Sequence, residues 1–523
     1  QGFYRKIITM PNRIADELFH LIKTLEKGEK RNFKLYVSRN ISSDELKIIT
    51  LFDAIDKLDQ YDEEVILKKN PSIQKQQLSN LKSHLYKQIL SSLRLIRNDQ
   101  SVDIQLHEML DHARILYNKG LYHQSLKILQ KIKELAGHFN QMTFWMQALF
   151  FEKKIESLHI TRSFDDRAEL LSKEMEELSK RLSVVGKLSN LSLQLYGWYI
   201  KNGHVRDEKD IDSIKTFYHN NIPDGTADCN GFYEKLYLSQ SQAWFGFIMQ
   251  DMLAYYKHCS RWVDQFDKEP QMIWVEPQQY IKGMHNLLNA HFMLRNDKKF
   301  EQDLEKFENF CNSKEGEANI NNQVQGFVYL YLAKINQQIL KGNFSEGVKL
   351  VPLIEEKIAA YEVQLDKHRT LVFYYKIACL YFGLGDFEKA VEYLNKIIHW
   401  KADLRTDIQC YARLLHLISH YELGNDMIIE SQVKSVYRFM SNMKNLSSVE
   451  TRIFTFLRKV FSLSRKELNM HLQILFDELK PLENNPLEAR SFLYLDILSW
   501  LDSKLKGVPV QDVIAEKYRL RNS

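Results

Sequence analysis

The stretch that most constrains how this chain can fold is residues 371–402, LVFYYKIACLYFGLGDFEKAVEYLNKIIHWKA. Apolar residues recur every three to four positions on both sides of Gly385-Asp386, which predicts two amphipathic helices joined by a tight turn. Such a hairpin buries its apolar faces only when similar units stack against it. The stretch therefore favours an array of helix hairpins.

Similar hairpins are predicted on both sides of this stretch. Turn glycines at 342, 385 and 424 are 43 and 39 residues apart, which indicates a repeat of about 40 residues. An earlier pair turns at Gly120, and less regular pairs follow, with one helix expected over residues 167–182 and a break at Gly203. From about residue 104 onward, the chain is thus expected to consist of helix pairs.

Composition agrees with an all-α fold. The 523 residues are 44% apolar and contain only 19 glycines and 9 prolines, whereas a sheet protein would need more turn residues. We predict a small basic helical N-terminal domain over residues 1–103 and an array of helical hairpins, an α-solenoid, over residues 104–523. The loop 220–231, which contains Pro223-Asp224-Gly225, is a candidate break in the array.

The hairpins resemble tetratricopeptide repeats, a family in which small residues let two helices cross closely and a Gly-aromatic turn joins them. In the 371–402 unit the matching residues are Ala378, Gly385, Phe387, Ala390, Leu394 and Ile397. The units beginning near residues 106 and 328 match less fully, and the unit near 410 has Asp426 at the aromatic position. The resemblance, to a helical-repeat protein of bacterial type, implies a non-enzymatic scaffold that binds a protein or peptide.

That family binds partners on the concave face of the array. The residues that the resemblance places on this face, as candidate partner-binding residues, are Phe245, Tyr329, Asn336, Tyr375, Phe382, Tyr411 and Tyr421. Two alternatives remain open: these side chains line a groove for an apolar or amphipathic peptide, or they pack against each other and fill it. Some relatives hold a peptide carboxylate with Lys and Asn on consecutive units, but here only Asn336 fits that pattern.

No catalytic motif is evident. The sequence contains no GxxxxGK[ST], GxGxxG, HExxH or GxSxG pattern, and His107 and His112 are spaced so that they lie on different faces of a helix. The five cysteines are far apart and form no CxxC pair, which favours reduced thiols over a zinc site or disulfides. We therefore expect no enzyme activity, no cofactor and no metal.

The excess positive charge is concentrated at the N-terminus. Residues 1–100 contain 18 Lys and Arg against 13 Asp and Glu, while the remaining residues balance at 54 each. A candidate basic surface comprises Lys27, Lys30, Arg31, Lys34 and Arg39. Phe33 and Tyr36 lie among these cations, a combination that nucleic-acid surfaces use, and the alternation of Phe33, Leu35 and Val37 suggests a short extended segment.

Three functional hypotheses follow. The first is a protein- or peptide-binding scaffold; the second is a nucleic-acid- or ribosome-associated protein that docks through residues 27–39; the third is a regulator that senses a peptide or metabolite. Residues 1–20 show no signal peptide, and no apolar run is long enough to span a membrane, so we expect a cytoplasmic protein. The residues before Met10 are compatible with either a native or an added start.

Overall fold

The computed structural model describes residues 13–38, 43–96, 101–159, 166–226, 229–400, 406–443, 446–460, 463–485, 488, 491–492 and 496–523. In these ranges the regular structure is helical and no strand occurs, which confirms the all-α prediction. Contacts divide the chain into two compact units, Gln1–Ser172 (unit 1) and Lys173–Ser523 (unit 2). The two units are described separately.

Unit 1 contains two hydrophobic cores. The first is built by α1 (Arg13–Thr24), α2 (Lys27–Val37), α3 (Ser43–Asp56), α4 (Glu63–Lys69) and α5 (Lys75–Ile96). The second is built by α6 (Val102–Asn118), α7 (Tyr122–His138) and α8 (Met142–Leu158). Both cores belong to unit 1, and the domain boundary predicted at residue 103 stays a prediction.

The hairpin of α6 and α7 shows why small residues stand at the crossing. Ala113 and Ser125 are both fully buried, and the Ser125 hydroxyl donates a 2.8 Å hydrogen bond to the Ala113 carbonyl. A larger side chain at either position would force the helices apart. Gly120 closes the turn with φ 74°, a left-handed conformation that glycine adopts without a Cβ clash.

Unit 2 contains the rest of the helices. Its first two helices are α9 (Arg167–Asn202), which begins before the unit boundary, and α10 (Glu208–Asn221). The next are α11 (Phe232–Ile248), α12 (Met252–Lys268), α13 (Met272–Val275), α14 (Pro277–Met293), α15 (Asp297–Cys311), α16 (Lys314–Glu317), α17 (Ile320–Lys341), α18 (Phe344–Val348), α19 (Val351–Ala360), α20 (Lys367–Leu384) and α21 (Phe387–Ile398). The last are α22 (Thr406–Glu422), α23 (Asp426–Asn442), α24 (Ser448–Lys459), α25 (Arg465–Leu479), a 3-10 turn (Lys480–Asn484), α26 (Ile497–Lys506) and α27 (Val510–Asn522).

Helix α9 corrects the prediction of a helix that stops at residue 182. It continues without a break for 36 residues to Asn202. Gly186, four residues beyond the predicted end, lies in the interior of α9. Glycine lowers helix propensity by about 1 kcal/mol, and the buried Leu188, Leu191 and Leu195 of the same helix offset that cost.

Each hairpin of unit 2 consists of two helices, and the chain therefore contains two sets of helices that alternate along it. The first helix of each hairpin, hereafter an inner helix, is α11, α14, α17, α20 or α22; the second, an outer helix, is α12, α15, α18 with α19, α21 or α23. Consecutive inner helices α14, α17, α20 and α22 pack directly on one another. The surface that these inner helices turn away from their outer partners is the inner face.

Each hairpin turn uses one residue in the left-handed conformation. Gly342, Gly385 and Gly424 have φ between 69° and 88°, as the repeat spacing predicts. Gln250 and Arg295 take the same conformation, with φ 60° and 54°, at the α11–α12 and α14–α15 turns. Because a side chain in this conformation costs about 1–2 kcal/mol, the tight turn is maintained there by the packing of the helices on both sides.

The aromatic residue of the turn fills the gap between successive hairpins. Phe344 follows the turn at Gly342 and is 3% exposed. Its ring occupies the place where a Cβ on Gly383 of the next inner helix would be. In the 371–402 unit, Ala378, Ala390 and Leu394 are fully buried, as the repeat pattern requires.

Candidate functional site

The basic segment predicted from the sequence is the helix α2 of unit 1. The expectation of an extended strand-like segment is wrong, because residues 27–37 are helical and Phe33 is 1% exposed in the first core. The Phe33 ring packs against Phe52 with ring centres 4.8 Å apart. Phe33 is thus a core residue and presents no stacking surface for a base.

Two of the five basic side chains of this segment are paired with carboxylates of α3. The Lys30 ammonium lies 2.7 Å from Asp56, and the Lys34 ammonium lies 2.6 Å from Asp53. Lys27 and Arg31 are exposed, while Arg39 lies outside the described residues. The charge that remains for a phosphate backbone is accordingly smaller than the sequence indicates.

The seven residues predicted for the inner face divide into two groups by burial. Four of them are buried, namely Asn336, Tyr375, Phe382 and Tyr411. The other three, Phe245, Tyr329 and Tyr421, are partly exposed. Buried and partly exposed residues thus occur on the same helices, and the two alternatives left open by the sequence, an open groove and a filled one, both stay predictions.

The C-terminal part of the inner face is covered by the segment that follows α25. The Tyr411 hydroxyl donates to the buried Glu450 carboxylate at 3.1 Å and lies 3.4 Å from the Ser491 hydroxyl. The ring of Tyr421 packs edge-on to Trp500 of α26 with ring centres 5.9 Å apart. This part of the face is therefore packed against the protein's own chain.

A cavity of about 100 Å³ remains beneath this cover. Its lining is mainly apolar, as at Phe382 and Leu415, and its polar members are Arg295, Lys376, Cys379 and Asp496. Burial raises the pKa of the Cys379 thiol to about 11, so the thiol is protonated and a poor nucleophile at neutral pH. Burial also lowers the pKa of Lys376.

The N-terminal part of the inner face presents aromatic rings with cations beside them. The Tyr329 ring stacks on His285 with ring centres 4.1 Å apart, and the Arg369 guanidinium donates a 3.3 Å hydrogen bond to the Tyr329 hydroxyl. One turn before His285, the Lys282 ammonium lies 4.8 Å from the ring centre of Tyr196. We call Lys282, His285, Tyr329 and Arg369 the Lys282–Arg369 cluster.

Burial controls ionisation in this cluster. It lowers the pKa of His285 to about 3, with smaller effects from the charges of Arg369 and Lys282, so the imidazole is neutral at ordinary pH. It also lowers the pKa of Lys282, and the Arg369 charge acts in the same direction. The basic side chains of the cluster are therefore Lys282 and Arg369, while His285 contributes a neutral ring.

Acidic residues are distributed unequally between the two sets of helices. The inner helices α14, α17 and α20 contain six Lys and Arg residues and no Asp or Glu. The outer helices α15, α18, α19 and α21 that pair with them contain ten Asp and Glu residues. Lys334 and Lys341 of α17 reach two of those carboxylates, Glu308 and Glu301.

The sequence reasoning missed Lys282, His285 and Arg369. The absence of acidic residues from three helices is visible in the sequence and was the available signal. Its meaning depends on knowing that these three helices are consecutive on one face. Within the described ranges, no three His, Cys, Asp or Glu side chains are grouped so that they could hold a metal ion.

A family model of the tetratricopeptide repeat matches residues 371–404. Comparison with curated proteins and with solved structures gave no significant match. Among the helices that the structure describes, none is long and apolar enough to cross a membrane.

Proposed function

We propose, from the premise that this chain is a tetratricopeptide-like helical-repeat protein, that it is a non-enzymatic scaffold which binds a protein partner as a peptide segment. Repeats of this kind generally mediate protein–protein contacts. The binding surface is the N-terminal part of the inner face of unit 2, formed by α11, α14, α17 and α20.

The observation that carries this proposal is the difference in cover along the inner face. Tyr375, Phe382 and Tyr411 are buried, whereas Phe245, Tyr329 and Val372 remain partly exposed on neighbouring inner helices. Partly exposed aromatic and aliphatic side chains on several inner helices suit a peptide, which can contact more than one helix of an array, more than a small molecule.

Site-specific photocrosslinking tests this proposal. Phe245 or Val372 is replaced by p-benzoylphenylalanine, and the exposed Glu305 on the outer helix α15 serves as the control position. Irradiation in native cell extract is expected to give a discrete protein adduct at both inner-face positions and none at Glu305. Equal labelling at all three positions would contradict a binding role for the inner face.

A further inference from the structure

We infer that the inner face of unit 2 selects an acidic peptide segment, whose carboxylates bind Lys282 and Arg369 across three consecutive inner helices. This inference rests on the proposed function and adds the chemical class of the partner. It arises from the arrangement of charges in the Lys282–Arg369 cluster.

The cluster is continuous across the array. Lys282 and His285 lie on α14, Tyr329 lies on α17, and Arg369 lies on α20. Stacking of Tyr329 on His285 and the hydrogen bond from Arg369 to Tyr329 join the three helices. A ligand that contacts both cations must therefore extend across the helices, as a peptide in an array groove does.

Lys282 has no carboxylate within ion-pair distance among the described residues. Its ammonium is placed instead against aromatic rings, 4.8 Å from the centre of Tyr196 and 5.7 Å from that of Trp244. A partly desolvated ammonium is stabilised only in part by such rings, so an incoming carboxylate has a larger effect here than at an exposed lysine.

The positive charge of Arg369 is balanced only by a partly exposed ion pair within its own helix. Its one carboxylate among the described residues is Asp366, 3.2 Å away at the N-terminus of the same helix. Both side chains are substantially exposed, and ion pairs of that kind contribute at most about 1 kcal/mol. Since a guanidinium has five N–H donors in a planar fork, Arg369 keeps capacity to bind a carboxylate of a partner.

Repulsion on this face is low for an acidic ligand. None of the 57 residues of α14, α17 and α20 is acidic, whereas the paired outer helices carry ten carboxylates. A negatively charged segment thus meets cations without opposing carboxylates on these inner helices, and it is repelled from the outer side.

An acidic peptide fits these observations better than a nucleic acid. The two basic side chains are linked through the neutral rings of His285 and Tyr329, an arrangement that matches carboxylates spaced along a peptide. A phosphate backbone carries one charge per nucleotide and is bound through a continuous basic groove.

Fluorescence anisotropy on the full chain tests the inference. The probe is a labelled dodecapeptide of alternating Glu and Leu with an amidated C-terminus, and its matched partner has Gln in place of every Glu. The variant is Lys282→Met, which keeps the apolar stem against Tyr196 and removes the charge. The control is Lys298→Met, at an exposed lysine of the outer helix α15.

Wild-type protein is expected to bind the Glu peptide roughly tenfold more tightly than the Gln peptide, as one charge-assisted contact requires. Lys282→Met is expected to lose that preference, while Lys298→Met keeps it. Thermal unfolding of each variant shows that the fold is retained, and Arg369→Gln provides a second variant with the same expected loss.

Three results would overturn the inference. Equal binding of the Glu and Gln peptides would contradict selection of an acidic peptide. The proposed function would still stand in that case if photocrosslinking at Phe245 gave a discrete adduct. Unchanged preference in both Lys282→Met and Arg369→Gln would place the acidic site elsewhere. Tighter binding of a single-stranded RNA that depends on Lys282 would assign the face to nucleic acid.

Discussion

The basic helix α2 of unit 1 and the inner face of unit 2 both place lysines beside aromatic rings, and they differ in what surrounds the lysines. In α2, Lys30 and Lys34 pair with carboxylates of α3, and the neighbouring Phe33 is a core residue. On the inner face, Lys282 contacts rings and no carboxylate of the described residues.

A local density of positive charge in the sequence is therefore a poor guide to a binding surface. Residues 27–39 were predicted to form a basic surface because five cations are close together in the sequence. Three helices of the inner face, α14, α17 and α20, carry six Lys and Arg residues spread over 57 positions and contain no acidic residue. Available charge depends on the partners that folding supplies.

The largest effect is expected from Phe33→Ala. Removing a fully buried ring leaves a cavity beside Phe52, so the free energy of unfolding of unit 1 should fall by about 3–5 kcal/mol. Urea denaturation followed by circular dichroism measures the change. Phe245→Ala, at a partly exposed ring of the inner face, is the comparison and should cost much less. Similar losses in the two variants would contradict the assignment of Phe33 to the core.

A large effect is also expected when the pH is lowered, because of His285. Its pKa is about 3 in the folded protein and about 6.5 when exposed, so below pH 6.5 the unfolded chain binds a proton that the folded chain does not. The stability that this histidine contributes above pH 6.5 is lost as the pH falls toward the folded pKa, at about 1.4 kcal/mol per pH unit.

Chemical denaturation at pH 7 and near pH 5 measures this loss. His285→Gln should be less sensitive to the pH change than wild type by roughly 2 kcal/mol. His123→Gln, at an exposed histidine of unit 1, should behave as wild type. If His285→Gln retained the full pH dependence, another group would be responsible for it.

A smaller effect is expected from the double change Lys30→Met and Lys34→Met. Each removes an ion pair with partly exposed side chains, so stability should change by at most about 1 kcal/mol per site. Because these cations are already paired, affinity for single-stranded RNA should be weak and little altered. Strong, salt-dependent RNA binding that disappears in Lys30/Arg31/Lys34→Glu would contradict this expectation and would make the helix α2 a binding surface.

The smallest effect is expected from Tyr329→Phe. The change removes the hydroxyl that accepts the hydrogen bond from Arg369 and keeps the ring that stacks on His285. Stability should fall by about 1 kcal/mol or less, since Arg369 is partly exposed to water. Thermal unfolding measures this change. A loss as large as that of a buried core ring would show that the hydrogen bond holds the three inner helices together.

The fold was largely predictable because the signals for helix hairpins are local. The unit at 371–402 forms the two expected helices, Lys367–Leu384 and Phe387–Ile398, with Gly385 at the turn. Where the turn residue is Gln250 or Arg295, neighbouring helices impose the left-handed conformation. No local rule assigns that conformation to a glutamine or an arginine.

The site was predictable only in part because it depends on packing between distant segments. Spacing within each helix predicts that Tyr329, Tyr375 and Tyr411 lie on one face of the array, and this stays a prediction. Tyr411 is buried beside Ser491, which lies 80 residues further along the chain, and spacing within a helix does not indicate that contact. Lys282 and Arg369 became a candidate site only once α14, α17 and α20 were seen to be consecutive.

Helix α27 contacts a much earlier hairpin of unit 2. Arg521 and Asn522 bind the buried Asp297 carboxylate at 3.2 and 2.9 Å, across 224 and 225 positions of sequence. During translation, the Asp297 carboxylate therefore lacks these two partners until residues far beyond its own hairpin have been synthesised. An open array can fold one repeat at a time, but this one is completed only when α27 has left the ribosome.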